Sequence, residues 1–205
     1  MDIENKTIYA YVVDSAKYIN DCSIDNYLSE SELTRSNIYH DKQHRVDYLV
    51  AHALKRKYLS DMLDSKQPKE LIFFKSNTGK PYLVDKPLFF NISHSSGYVA
   101  LAISLNNECS IDIEKYRKLR NPESLIDKTM TAIEKQQITS DMNLYKAFFD
   151  KWVIKEAFVK LSGIGLSMPF KNLCTTTKFN YINQNFGFTK GSTVCRYSND
   201  YFSLA

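Results

Sequence analysis

Trp152-Val153-Ile154-Lys155-Glu156-Ala157-Phe158-Val159-Lys160-Leu161-Ser162-Gly163 is the stretch from which the rest of this chain is read. Together with Phe148 and Phe149 ahead of it, its aromatic and aliphatic residues recur at roughly helical spacing, and Gly163 supplies a stop just past the last turn. The pattern predicts a helix on which Trp152, Glu156 and Lys160 share a side, with Glu156 in the favourable orientation to pair with Lys160. Upstream, Ile111-Asp112-Ile113-Glu114-Lys115 alternates isoleucine with acid, which is the pattern of a strand whose two carboxylates face the same way.

Asp112, Glu114 and Glu156 can therefore supply three carboxylates, with lysines beside them. Such a set suits Mg2+, a hard ion that binds through a few carboxylates plus substrate phosphates. No Cys or His cluster points to zinc.

Outward from these blocks, Thr7 to Val13 reads as a strand, and Ser29-Glu30-Ser31-Glu32 offers a capping-box start to a helix. A second helix begins near Asp41 and runs to about Leu63. Leu71 to Phe74 reads as a strand and Asn77-Thr78-Gly79 as a turn. Leu88 to Ile92 and Tyr98 to Ser104 read as strands flanking a loop that contains Ser93 and His94. Thr131-Ala132-Ile133-Glu134 is a second capping box ahead of the long helix, and Phe170 to Phe202 carries short strand-like runs rich in Thr, Phe, Tyr and Asn. Helices interspersed among strands in each half give an α+β or α/β mixture, and periodicity alone does not choose the topology. His40, His44 and His52 read as helix-surface residues, and Trp152 as core packing.

The chain has 205 residues, 43% hydrophobic and 24% charged, the balance of a folded protein and not of a disordered one. A net charge of +4 is lower than a dedicated nucleic-acid binder carries, and suits an anionic cofactor or an acidic protein partner. Four cysteines (Cys22, Cys109, Cys174 and Cys195) without C-x-x-C spacing read as free thiols in a reducing compartment. The polar N-terminus carries no signal core and no apolar run reaches the length of a membrane span, so the expectation is a cytoplasmic protein with no membrane and no nucleic-acid partner.

Ser110-Ile111-Asp112-Ile113-Glu114 and Trp152-Val153-Ile154-Lys155-Glu156-Ala157-Phe158-Val159-Lys160 resemble the two signature motifs of the 4'-phosphopantetheinyl transferases, roughly G-[IV]-D-[IV]-E and W-[ST]-x-K-E-[AS]-x-x-K. Gln43-His44-Arg45, Thr78-Gly79-Lys80-Pro81-Tyr82 and Phe90-Asn91-Ile92-Ser93-His94-Ser95 are similar to further segments of the larger, monomeric branch, the surfactin-synthetase-activating type. Ser110 replaces the family's glycine and Val153 its small hydroxyl residue, and neither change removes a ligand or a charge.

The resemblance implies an α+β fold made of a pseudo-two-fold pair of similar subdomains, residues 1–105 and 106–205, with the active site in the cleft between them. It implies a monomeric enzyme of the holo-[acyl-carrier-protein] synthase type. Such an enzyme moves the 4'-phosphopantetheine arm of coenzyme A to a serine of an apo acyl or peptidyl carrier protein and releases adenosine 3',5'-bisphosphate. It further implies that Asp112, Glu114 and Glu156 hold Mg2+, that Glu156 is the general base with Glu134 second, and that Lys160 stabilises developing charge. Arg45, Lys80, Ser93, His94 and Lys155 would contact the cofactor.

Read from the residues alone, Arg45 can also pair with Asp41 or Asp47, Lys80 can be a solvated turn lysine, and His94 a hydrogen-bonded loop histidine. Two other functions remain open at this point: a metal-dependent nuclease with a D-x-E-K core at Asp112, Glu114 and Lys115, and a catalytically silent carrier-protein-binding module.

Overall fold

The computed structural model describes residues 7–64, 67–84, 88–163, 169–175, 197–198 and 202–205. The chain divides into two units, Met1–Ile113 and Glu114–Ala205. The first contains β1 (Ile8–Asp14), α1 (Glu30–Ser36), α2 (Lys42–Leu63), β2 (Phe73–Lys75), β3 (Pro81–Leu83), β4 (Phe89–Ser95) and β5 (Tyr98–Ser104), and β6 (Ile113–Lys115) opens at its last residue. The second contains α3 (Pro122–Thr129), α4 (Ala132–Ser140), α5 (Leu144–Ser162), β7 (Tyr197–Ser198) and β8 (Phe202–Leu204). Both units combine runs of helix with strands, an α+β architecture.

In the first unit an antiparallel sheet runs in the order β1-β5-β4, while β2 and β3 pair as a separate ribbon. Val99 to Ile103 on β5 are buried without a break, as a central strand should be, with Val13 opposite Val99 and Ile92 opposite Leu101. The long helix α2 packs on this sheet. Near its start Val46, Val50, Ala51 and Ala53 join Ile24, Leu28 and Val99, and farther along Leu59 joins Leu71, Leu83, Leu88, Phe90, Leu101 and Ile103.

Asp41 caps α2, accepting from the His44 N–H at 2.8 Å, as the sequence predicts. Asp47, completely buried, accepts from Ser15 Oγ, from Gln43 Nε2 at 2.8 Å and from the Gly97 N–H at 3.2 Å. It thereby ties the start of α2 to the β4–β5 turn, where Gly97 has φ of 95°.

Both predicted capping boxes are present, and each carries more than a helix end. Ser29 and Glu32 form the first. The Glu32 carboxylate is also buried among basic side chains: Arg56 Nε donates to Oε2 at 2.5 Å, Lys55 Nζ donates to Oε1 at 3.1 Å, and His52 Nδ1 lies 2.7 Å from Oε1. Arg56 reaches on to the carbonyls of Pro68 and Leu71 at 2.7 and 3.0 Å. Thr131 and Glu134 form the second box. Glu134, fully buried, accepts from Lys155 Nζ of α5 at 2.7 Å, and Lys155 also donates to the carbonyls of Thr129 and Phe170. In each unit a short capped helix therefore gives its buried glutamate to a lysine of the long helix that follows.

Burial alone would raise the Glu32 carboxyl, but His52, Lys55 and Arg56 outweigh it and hold the group well below the usual carboxylate range. Burial drives the Lys55 ammonium down to about 8 against the pull of Glu32. His52 is likewise depressed, by burial first. This corrects the reading of His52 as a surface residue.

Other elements also depart from expectation. β4 continues through Ser95, so Ser93 and His94 stand on a strand, and the turn is Ser96-Gly97. The acidic strand is confined to Ile113–Lys115, and Asp112 precedes it. The second capping box opens α4, while α5 is capped separately by Asn143, and α3 has no counterpart in the sequence reading. Within the second unit α4 packs on α5, α5 also packs on β8, and Ile126, Met130, Ile138, Phe148 and Phe149 form the core. Most of Phe170 to Phe202, with its expected strands, lies outside the described residues.

Glu32 predicts the acid limb of stability. A carboxylate depressed in the folded state contributes stability that is present above its unfolded value of about 4.3 and lost as pH falls through the folded value. Urea denaturation should therefore show stability dropping below about pH 4. At pH 7 Glu32→Gln should cost about 3–5 kcal/mol, because Lys55 and Arg56 stay buried without a counter-charge.

Candidate active site

The first unit places two of the candidate phosphate contacts beside the segment that carries Asp112. Ser93 Oγ donates to Asp112 Oδ1 at 2.8 Å and accepts from the Ile113 N–H at 3.4 Å. Both Ser93 and Asp112 are buried, at 7% and 5% exposure. Lys80 Nζ pairs with Glu108 Oε2 at 2.5 Å and donates to the Cys109 carbonyl at 3.3 Å. It follows the turn at Gly79, where φ is 86°, so a glycine fits that corner and Lys80 leads directly into β3. Its ammonium is thus a placed charge and not a solvated one, since its side chain is only 17% exposed. Burial pushes the neighbouring Cys109 thiol up to about 11, which removes it as a nucleophile at neutral pH. Cys22, Cys109 and Cys174 are free thiols.

Arg45 lies on the exposed side of α2, one position before the buried Val46 and Asp47. The acids that might have paired with it are engaged elsewhere: Asp41 caps α2 and Asp47 holds Ser15, Gln43 and Gly97. His94 is exposed, next to Ser93 on the strand and therefore on the opposite face of the sheet.

In the second unit Glu156 and Lys160 share the half-buried side of α5 with Trp152. Trp152 packs between Phe148 and Phe170, with centroids 5.6 and 5.1 Å away, so it belongs to the core. Glu114 is partly buried and accepts from Arg117 at 2.6 Å. Among the described residues, no group of three His, Cys, Asp or Glu side chains is arranged to hold a metal ion.

Two candidates prove to serve the fold. Lys155 is completely buried, and its three donors go to Glu134, Thr129 and Phe170, leaving none for a cofactor. Glu134 accepts from Thr131 N, from Thr175 N and Oγ1, and from Lys155. Burial would raise its carboxyl, but these donors keep it below its ordinary value, and with both oxygens buried and taken up by them it has no access to a substrate proton. The sequence held the signal: Lys155 stands seven residues after Phe148 and four before Val159, on the buried stripe of the helix. Asn91 was missed as a functional residue. Its side-chain oxygen accepts from the Ile111 N–H at 3.0 Å, and the clue was a pair of polar residues, Asn91 and Ser93, repeating at strand period within an apolar run.

Comparison with known proteins finds a family match over each half of the chain. Residues 108–202 match the 4'-phosphopantetheinyl transferase superfamily, and residues 22–106 match the family described as 4'-phosphopantetheinyl transferase, N-terminal. Among similar proteins, the 4'-phosphopantetheinyl transferase HetI of Nostoc sp. is 31% identical over 146 residues, 68% of this chain and 61% of HetI. A putative 4'-phosphopantetheinyl transferase of Synechocystis sp. is 30% identical over 166 residues, 76% of this chain and 66% of that protein. The 4'-phosphopantetheinyl transferase Sfp of Bacillus subtilis is 33% identical over 130 residues, 60% of this chain and 52% of Sfp. The chain thus spans between half and two thirds of these relatives. It belongs to the 4'-phosphopantetheinyl transferase superfamily. Among the described residues no helix is long and apolar enough to cross a membrane.

The fate of Lys155 separates a structural role from a cofactor contact. Lys155→Ala should lower stability by about 3–5 kcal/mol in urea denaturation, because Glu134 then keeps a buried charge without its partner. Coenzyme A affinity of the folded variant, measured by titration calorimetry, should match the parent. Full stability with weakened coenzyme A binding would return Lys155 to the cofactor.

Proposed function

We propose that this protein transfers the 4'-phosphopantetheine arm of coenzyme A to the serine hydroxyl of an apo acyl or peptidyl carrier protein, releasing adenosine 3',5'-bisphosphate. The observation that carries the reading is the pair of family matches, one on each half, together with an intact set of acids and lysine at the two signature motifs. We read the halves, residues 1–105 and 106–205, as two similar subdomains acting on one coenzyme A in the cleft arrangement of the family, as a monomer in the cytoplasm. The recurrence of a capping-box glutamate bound to a lysine of the next long helix supports that reading.

The donor set fits Mg2+, since Asp112, Glu114 and Glu156 offer hard oxygen ligands and no thiolate or imidazole competes among them. Asp112, Glu114 and Glu156 would hold Mg2+, which would supply charge neutralisation at the pyrophosphate. Lys80 and Arg45 present fixed and flexible cations to the cofactor's phosphates, and His94 adds a donor from the far face of β4. Glu156 accepts the proton of the attacking serine hydroxyl. Lys160, one helical turn on, stabilises the charge that develops as the β-phosphorus is attacked and the adenosine bisphosphate departs. The carrier approaches by charge, its acidic surface meeting a chain of net charge +4.

With apo carrier present, release of adenosine 3',5'-bisphosphate from coenzyme A should be abolished by EDTA and restored by Mg2+. Lys160→Ala should keep the fold by circular dichroism and slow release by about 10^2- to 10^3-fold, the loss expected from removing one preorganised charge donor. Full transfer in EDTA, or a rate within a factor of about three of the parent, would contradict these assignments.

A further inference from the structure

Between Cys109 and Asp112 the chain has no ladder of its own, because β6 opens only at Ile113. Side chains take the place of that ladder. Lys80 donates to the carbonyl of Cys109, Asn91 accepts from the N–H of Ile111, and Ser93 accepts from the N–H of Ile113 while donating to the Asp112 carboxylate. The three backbone positions met, 109, 111 and 113, follow the strand period of 2, so the segment is held extended with Asp112 turned toward Ser93.

Phe90 and Ile92 point the other way and pack with Leu59, Leu71, Leu83 and Leu101 on the α2 side of the sheet. Asn91 and Ser93 are therefore polar groups buried on the opposite face, at 7% exposure each. Burial of polar groups is tolerated where their hydrogen bonds are satisfied, and here the segment around Asp112 supplies partners to both. Ser93 and His94 consequently cannot act as one phosphate clamp, since adjacent strand residues face opposite ways.

We infer that Asn91 and Ser93 are positioning residues for the Asp112 carboxylate, and that Ser93 acts on the metal-binding end of the site and not on the cofactor's phosphates. The inference rests on the proposed function for its metal. Ser93 fixes the rotamer of Asp112 through Oδ1, and Asn91 fixes the backbone one residue before it. An outer partner of this kind typically tunes metal affinity about 10- to 100-fold.

The test uses two readouts on the full chain. Mn2+ binding is followed by electron paramagnetic resonance with coenzyme A present, and coenzyme A affinity is measured by calorimetry in EDTA. Ser93→Ala and Asn91→Ala should weaken Mn2+ binding about ten-fold or more, leave coenzyme A affinity in EDTA within a factor of about two, and Ser93→Thr, which keeps the hydroxyl, should recover most of the loss. If Asn91→Ala fails to fold, the Ser93 pair decides alone. Unchanged Mn2+ affinity in Ser93→Ala, or weakened coenzyme A binding in EDTA, would overturn the inference. Lys80→Ala is the control for the parent reading, with coenzyme A affinity expected to fall about ten- to hundred-fold. Wild-type protein that binds neither Mn2+ nor coenzyme A would overturn the proposed function and this inference with it.

Discussion

A glutamate that closes a capping box and then pairs, buried, with a lysine from the long helix organises each unit of this protein. Glu32 with Lys55 and Arg56, and Glu134 with Lys155, place charges where water does not reach, so the pair has to be complete. Ion pairs of this kind add little net stability over an apolar replacement, but losing one partner is costly. Their effect is to fix one short helix against one long helix in a single register. Arg56 and Lys155 then extend the lock to the next segment through backbone carbonyls, Pro68 to Leu71 in one unit and Phe170 in the other. The same lysine position that suggests chemistry in α5 is therefore a structural pin, and Glu156 and Lys160 are the residues of that helix left to the proposed chemistry.

What the first unit adds is a rigid frame for the Asp112 segment. α2 sets the sheet, the sheet sets β4, and β4 sends Asn91 and Ser93 into its outer face. Lys80 reaches the same segment from the turn before β3. A cation, a carboxylate and their supports thus come from elements that are themselves held by the core, as a site needs when its ligands must not shift.

The helices were largely legible in the sequence, because caps and periodicity are local signals. Asp41, the two capping boxes and Gly163 all act where their spacing put them. The strand ends were less legible. Ser93 and His94 read as loop residues by composition, yet β4 runs through them because the turn is only Ser96-Gly97 and β5 returns at once to set Ala100 and Val99 opposite them. His52 reads as a helix-surface residue from the sequence, yet its side chain is only 22% exposed and its Nδ1 lies 2.7 Å from Glu32 Oε1, a partner 20 residues away that no local window contains. The acids at positions 112, 114 and 156 were singled out by residue type and spacing and given roles by family resemblance. The support beneath Asp112 became visible only with the fold.

Transfer of phosphopantetheine to a carrier is the activity on which the proposed function rests. Intact-mass spectrometry of an apo carrier protein incubated with this chain, coenzyme A and Mg2+ should show the mass of one phosphopantetheine added at the carrier's serine, and none when that serine is alanine. A carrier of unchanged mass, with coenzyme A and the chain both intact, would contradict it.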